Sequence, residues 1–299
     1  MEKLVVIAGT NASGKSDLAV KIAQAIEGEV ISADSRQVFK GLDLGSGKIT
    51  VPEMQGVPHH LLDVAQPGDY FSLAHYQKLA YEAVDDVIAR GRIPILAGGT
   101  GLYINAVVDG YELEPGEPES AVRERVEGMS CEELLEIVRN SDPEGAERLD
   151  PHNKRRLERA AEKILTGKKL ENRSHKRYET LVLGVTWPRE ELYERIRVRL
   201  DRRLTENMIG EVEGLRAAGV SDDFLYRLGL EYRYILLYLQ GKFASYEAVY
   251  EELFKEIRHL AKEQMTWFRK RTDIVWIDMK DDPLGRALEK IDAFLKDES

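Results

Sequence analysis

The 299-residue chain has a single cysteine, Cys131, which excludes an internal disulfide and any cysteine-rich zinc site. No apolar run approaches the roughly 20 residues that a membrane helix requires, and no cleavage-site pattern follows the apolar start from Met1 to Gly9. A reducing cytosol is the expected compartment. Internal repeats and low-complexity tracts are lacking too. So is any excess of basic residues: 43 Lys and Arg face 53 Asp and Glu, a formal net charge of −10. That balance argues against general nucleic-acid binding unless the basic groups are gathered in one place. What is present, 43% hydrophobic and 32% charged residues, can build one large domain or two unequal ones.

Leu4 to Ala8 is a β-branched apolar run that ends in Gly9-Thr10-Asn11-Ala12-Ser13-Gly14-Lys15-Ser16, and Leu18, Ala19, Ile22, Ala23 and Ile26 then recur at helical spacing. The order is strand, loop, helix. Further strands are predicted over Glu29 to Ala33, Leu61 to Val64, Ile93 to Ala97, Leu181 to Thr186 and Ile274 to Ile277. Helical stretches lie between several of them, so the expected fold is α/β: a parallel sheet with helices on both faces. Between Tyr111 and Tyr178 no strand run occurs, and a connector, Glu114-Pro115-Gly116-Glu117-Pro118, leads into charged helical patterns. This predicts a core from 1–110 and 179–299, completed by C-terminal helices, with a helical insertion at 111–178. In the last long helix, predicted over Tyr246 to Arg271, the residues Val249, Tyr250, Leu253, Ile257, Leu260, Gln264 and Trp267 form one stripe, read as core packing.

Gly9-x-x-x-x-Gly14-Lys15-Ser16 matches the Walker A pattern at every defined position, between a strand and a helix as the mechanism requires. Glycine lets the backbone curl so that successive N–H groups point at one anion, the helix adds its positive end, and Lys15 supplies a mobile cation. Ser16 is placed to hold Mg²⁺ bridging two phosphates. Whether those phosphates belong to a nucleotide or to another diphosphate is left open by the loop.

The second strand leads into Ala33-Asp34-Ser35-Arg36-Gln37, on the same crevice as the phosphate loop in an open α/β sheet. Asp34 can act there as a base, though a helix cap or a contact to metal-bound water suits an Asp after a strand equally well. Pro94 to Tyr103 is a second glycine-rich strand end that leaves the Thr100 hydroxyl available. His59 and His60 on a strand point to opposite faces, which favours structural or substrate-shaping roles over a shared metal. A P-loop kinase of a nucleotide or small metabolite fits these features as well. So does a P-loop protein that binds without reacting, although Asp34 then has no purpose.

Six segments in order, GTNASGKS, ISADSRQVFKGLDLGSGK, VPHHLLDV, GRIPILAGGTGLY, HNKRRLERAAEKILTGK and AKEQMTWFRK, resemble the tRNA dimethylallyltransferase family across nearly the whole chain. The resemblance implies that Gly9 to Ser16 hold the diphosphate of dimethylallyl diphosphate, with Mg²⁺ as cofactor at Ser16. The prenyl group passes, in that family, to the exocyclic amine of the adenine 3′-adjacent to the anticodon. By matching position Asp34 resembles the general base, Asp34 to Gln37 a tRNA-contacting segment, and Thr100 a residue at the adenine. Arg155, Arg156, Leu157, Glu158 and Arg159 resemble a second tRNA contact, and Arg199 the arginine facing the leaving diphosphate. Lys15 joins Asp34, Thr100 and Arg199 in the catalytic set. Ser16 stands where the family usually has Thr, which keeps the hydroxyl. Gly45-Ser46-Gly47-Lys48-Ile49 and Gly229-Leu230-Glu231-Tyr232-Arg233 depart from the family pattern, which leaves Arg227 and Arg233 without an assigned contact.

The basic groups are gathered. From 154 to 177 there are ten Lys or Arg and three Glu. Arg155, Arg159 and Lys163 fall at i, i+4 and i+8 on one helix face, with Leu157, Ala161 and Ile164 on the other. Such a surface suits the tRNA anticodon arm better than the free adenine nucleotide of a cytokinin-type enzyme. No membrane partner is expected, and the expected state is a monomer.

Overall fold

The structure, a computed structural model, describes residues 1–113, 120–168, 170 and 173–297. They form two compact units, Met1–Asp109 with Lys176–Ser299, and Gly110–His175. The connector at Glu114 to Pro118 lies outside the described residues, as do Lys169 and Glu171 of the basic run.

The larger unit opens with β1 (Lys3–Ala8), α1 (Lys15–Ile26), β2 (Gly28–Ser32), α2 (Val51–Met54), β3 (His59–His60), α3 (Leu73–Ala89), β4 (Ile93–Gly98) and α4 (Gly101–Val108). The smaller unit holds α5 (Ser120–Glu127), α6 (Cys131–Ser141), α7 (Pro143–Glu147) and α8 (Lys154–Leu165). The chain then returns through β5 (Glu179–Thr186), α9 (Arg189–Thr205), α10 (Met208–Ala217), α11 (Asp222–Leu228), α12 (Leu230–Leu239), α13 (Tyr246–Phe268), β6 (Ile274–Asp278) and α14 (Pro283–Lys296).

Among the described residues the sheet has six strands in the order β3-β2-β4-β1-β5-β6, and every pairing is parallel. A parallel sheet needs cover on both faces because its strands are apolar on both. Leu4, Val6 and Ala8 of β1 pack with Tyr76, Val84, Ile104 and Val107 of α3 and α4 on one side. Val5 and Ile7 pack with Leu18, Ile22, Ala287 and Ile291 of α1 and α14 on the other. Alternate residues of one strand thus face two layers. Helices α9 to α13 enclose a further apolar core that includes Ala12, Phe39, Ile196, Tyr232 and Ile257.

One predicted strand is displaced. Pairing with β2 involves His59 and His60 rather than Leu61 to Val64. Leu61 and Asp63 have φ of 64° and 56°, a left-handed conformation that turns the chain away from the sheet. The two histidines have different partners. His59 Nδ1 lies 2.9 Å from the Val57 carbonyl oxygen, and His60 Nε2 lies 2.7 Å from Glu29, which Arg90 also binds. Hydrogen bonding from Arg90 is the main influence holding the Glu29 carboxyl down at about 2, well below its ordinary 4.5, with burial opposing and His60 assisting.

In the smaller unit Leu157 and Ala161 of α8 pack with Val126 of α5 and Leu134 of α6. Ser130 and Glu133 form a reciprocal cap at the start of α6, and Asn153 caps α8 by accepting from Arg156 N.

Candidate active site

The strand ends β1, β2 and β4 meet where the strand order crosses over, which is where open α/β sheets hold their ligands. The phosphate loop, Gly9 to Ser16, leaves β1 with Gly9 N donating to the Gly98 carbonyl at 3.3 Å. A Cβ on Gly9 would overlap Val185 and the Ser13 hydroxyl, so only glycine fits. Ala12 and Gly14 adopt φ of 59° and 83°. Thr10 and Ser13 are buried, and the Ser13 hydroxyl donates to the Thr10 carbonyl at 2.8 Å. Helix α1 then begins after Gly14, which caps it without a side-chain bond, so its first N–H groups are left for an anion. Ser16 is exposed at this turn.

Lys15 is 9% exposed and reaches back to the Thr10 carbonyl, at 3.3 Å. Burial, assisted by Arg199 and Arg203 and opposed by Asp34, pulls its ammonium down to about 8. Arg199, on α9, donates to the Gly47 carbonyl at 3.1 Å. Loss of water and the neighbouring Arg203 bring its guanidinium down to about 9, with Glu231 and Asp34 opposing. Arg203 is itself buried and donates to Glu231 at 3.1 Å. Sequence reasoning missed Arg203, although Arg195, Arg199 and Arg203 recur at i, i+4 and i+8, the same signal that marks α8. It missed Glu231 as well, a 2% exposed carboxylate on α12 that also accepts from Arg36 at 3.0 Å.

Asp34 lies two residues beyond β2, and its Oδ1 accepts from Arg36 N at 2.9 Å, which tightens the turn. Thr100 occupies the cap position of α4 but makes no cap bond; its Oγ1 accepts from Ser35 N at 3.1 Å and donates to the Ser35 hydroxyl at 3.4 Å. Gln37 Nε2 donates to the Gly47 carbonyl at 3.2 Å, so Gln37 and Arg199 share one acceptor. Gly47, with φ of 63°, leaves room for this meeting, since a Cβ there would overlap Arg199 and Arg203. Glu211 accepts from the backbone N–H groups of Asp43, Leu44 and Gly45, and from the Tyr232 hydroxyl. Those last two side chains were also missed. The structure therefore brings Gly9 to Ser16, Asp34 to Gln37, Thr100 and Arg199 to one group of strand ends, with more positive than negative charge buried among them.

A family model described as IPP transferase matches residues 37–271. This chain belongs to the IPP transferase family. Among similar proteins, a tRNA dimethylallyltransferase of Anoxybacillus flavithermus is 38% identical over 290 residues, which are 95% of this chain and 92% of that protein. Another tRNA dimethylallyltransferase, from Geobacillus thermodenitrificans, is 39% identical over 94% of this chain and 91% of its own length. The crystal structure of a full-length tRNA isopentenylpyrophosphate transferase from Bacillus halodurans has 36% identity and a TM-score of 0.74, covering 99% of this chain and 96% of that one.

The IPP transferase match extends through the smaller unit, where α8 shows two faces. Arg155, Arg156 and Arg159 are exposed, and Glu158 is partly so. Arg159 pairs with Glu162 at 2.9 Å and Lys154 with Glu158 at 3.7 Å. Among the described residues Arg155 and Arg156 have no ion pair. The Leu157 side chain is fully buried in the core of this unit, so its side chain is not on the surface with the arginines. Arg227 and Arg233 both lie in the larger unit: Arg227 pairs with Asp223 at 2.9 Å, and Arg233 donates to the Tyr226 carbonyl and stacks on its ring at 4.8 Å.

Proposed function

We infer that this member of the IPP transferase family is a tRNA dimethylallyltransferase. It transfers a dimethylallyl group from dimethylallyl diphosphate to the exocyclic amine of the adenine 3′-adjacent to the anticodon. The observation that carries the reading is the charge imbalance at the strand ends, where Lys15, Arg199 and Arg203 face a loop with free helix N–H groups and, among the described residues, only Asp34 and Glu231 oppose them. A diphosphate supplies the missing negative charge.

In the reaction the carbon–oxygen bond to the diphosphate breaks while the adenine nitrogen attacks the carbon, and charge builds on the leaving group. Lys15, the loop N–H groups and Arg199 oppose that charge more strongly as it develops, which is the condition for raising the rate. Asp34 accepts a hydrogen bond from the amine, orients it, and takes its proton as the nitrogen–carbon bond forms. Thr100, tied to Ser35, holds the adenine beside Asp34.

The donor set fits Mg²⁺ carried in with the substrate. Among the described residues no three His, Cys, Asp or Glu gather as a metal cage, and Ser16 offers one exposed hydroxyl at the loop. Mg²⁺ commonly keeps several waters and binds through few protein oxygens plus substrate phosphates, where it neutralises phosphate charge.

The exposed arginines of α8 meet phosphates of the anticodon arm, and the adenine is extruded from the loop, which is cheap in a single strand. Among the described residues no helix is long and apolar enough to cross a membrane. The deciding experiment is incubation with labelled dimethylallyl diphosphate, Mg²⁺ and bulk tRNA, beside AMP and ATP controls. Label in tRNA alone is the expected result. Label in AMP, or phosphate transfer from ATP without prenylation, overturns the reading.

A further inference from the structure

A non-glycine residue held at positive φ is strained and persists only where its surroundings over-determine it. Ala12, in the middle of the phosphate loop, is such a residue. The bonds that determine it come from far along the chain. Gln264 Oε1 on α13 accepts from Asn11 N at 2.9 Å, Arg195 Nε on α9 donates to the Ala12 carbonyl at 2.9 Å, and Trp187 Nε1 donates to the Ser13 carbonyl at 2.8 Å. Arg195 also stacks on the Trp187 ring at 4.5 Å. These bonds engage backbone groups of the loop on both sides of Ala12.

Gln264 does one thing more. Its Nε2 donates to the Gly99 carbonyl at 3.0 Å, so a single amide bonds both the phosphate loop and the residue before Thr100. Trp267, three residues on, packs against Gly101, where a Cβ would overlap the indole. The last turns of α13 therefore hold the loop of the donor and the loop of the acceptor at a fixed spacing. We propose that Gln264 is a positioning residue for prenyl transfer: it keeps the phosphate loop in its anion-binding shape and keeps Thr100 in register with it.

The inference rests on the prenyltransferase reading above, and two separate measurements distinguish their failures. Binding of inorganic diphosphate by calorimetry reads the phosphate loop alone. Single-turnover transfer to tRNA at saturating dimethylallyl diphosphate reads the spacing of the two loops. Gln264→Leu removes both amide bonds, each a net contribution whose loss amounts to several-fold. About tenfold weaker diphosphate binding and an about tenfold slower single turnover are expected, with the melting temperature nearly unchanged. Adding Ala12→Gly relieves the φ penalty in the loop but does nothing for Gly99. The double variant should regain diphosphate affinity and stay slow in transfer. Diphosphate affinity and transfer rate within twofold of the parent in Gln264→Leu overturn the proposal, as does a loss explained by a lowered melting temperature. So does a double variant in which both properties recover together or neither recovers. A parent protein that binds diphosphate but never prenylates tRNA defeats the functional reading instead.

Discussion

The phosphate loop and the arginine face of α8 both present positive charge, but the protein treats them oppositely. Around the loop, Lys15 and Arg203 are buried and Arg199 partly so, and all three are bonded to carbonyls or to Glu231. On α8, Arg155 and Arg156 stand exposed, without an ion pair among the described residues. Buried, pre-aimed cations cost desolvation and give a strong field over a short distance, which suits one small anion at a reacting bond. Exposed cations on flexible stems cost little and act through counterion release, which suits a long polyanion. The difference makes the two sites separable by experiment.

The largest effect is expected from Lys15→Ala, which removes a cation from both the ground state and the developing leaving group. Diphosphate binding should weaken and the single-turnover rate should fall by roughly 10² to 10³, measured with labelled donor. If ATP binding alone suffers, the kinase reading gains. Asp34→Asn should lower turnover by at least about a hundredfold, since a positioned base typically contributes roughly 10² to 10⁴, while diphosphate affinity stays nearly intact. Near-normal single-turnover chemistry would remove Asp34 from the base role.

A smaller effect belongs to the exposed side of the comparison. Replacing Arg155, Arg156 and Arg159 together by Ala should weaken tRNA binding and flatten the plot of log affinity against log salt by about 0.7 to 0.9 per lost phosphate contact. Diphosphate affinity should not move. Unaltered tRNA affinity and slope would mark the face as merely solvated.

The smallest effect is a pH dependence at the buried side. In the free protein Lys15 titrates near 8, and a diphosphate prefers it charged, so above pH 8 binding must take up a proton. Diphosphate affinity, followed by calorimetry, should fall by up to about tenfold per pH unit above 8, and Lys15→Ala should abolish the part of that fall below about 9, where Arg199 begins to contribute. Because the folded value lies below the ordinary 10.5, stability should rise slightly over the same interval, from pH 8 to 10.5. The tRNA salt slope should stay constant across it, because Lys15 is no part of the arginine face of α8.

Much of this was legible in the sequence because its causes are local. Strand period, the glycine spacing of Gly9 and Gly14, Lys15 on the following helix and the two faces of α8 all follow from contacts within a few residues. Asp34 and the Thr100 hydroxyl stood out as strand-end candidates; the resemblance chose among their roles and added Arg199. The exception among the strands, β3, failed for a reason local patterns do not carry: left-handed turns at Leu61 and Asp63 end the pairing after His60.

What only the tertiary structure decided is how the site is held. Gln264 reaches Asn11 across 253 residues, Arg195 reaches Ala12 across 183, and Arg36 reaches Glu231 across 195. In the sequence Gln264 sits in a helical stripe of packing residues, and Glu231 in a segment that departs from the family pattern and signals no partner. Their partners are backbone groups and guanidinium ions that chain folding alone brings near. The residue types of the phosphate loop name the chemistry, because curling around an anion is a property of the loop's own backbone. The bonds that hold this loop, one residue of it at positive φ without being glycine, come from helices that approach only once the sheet has formed.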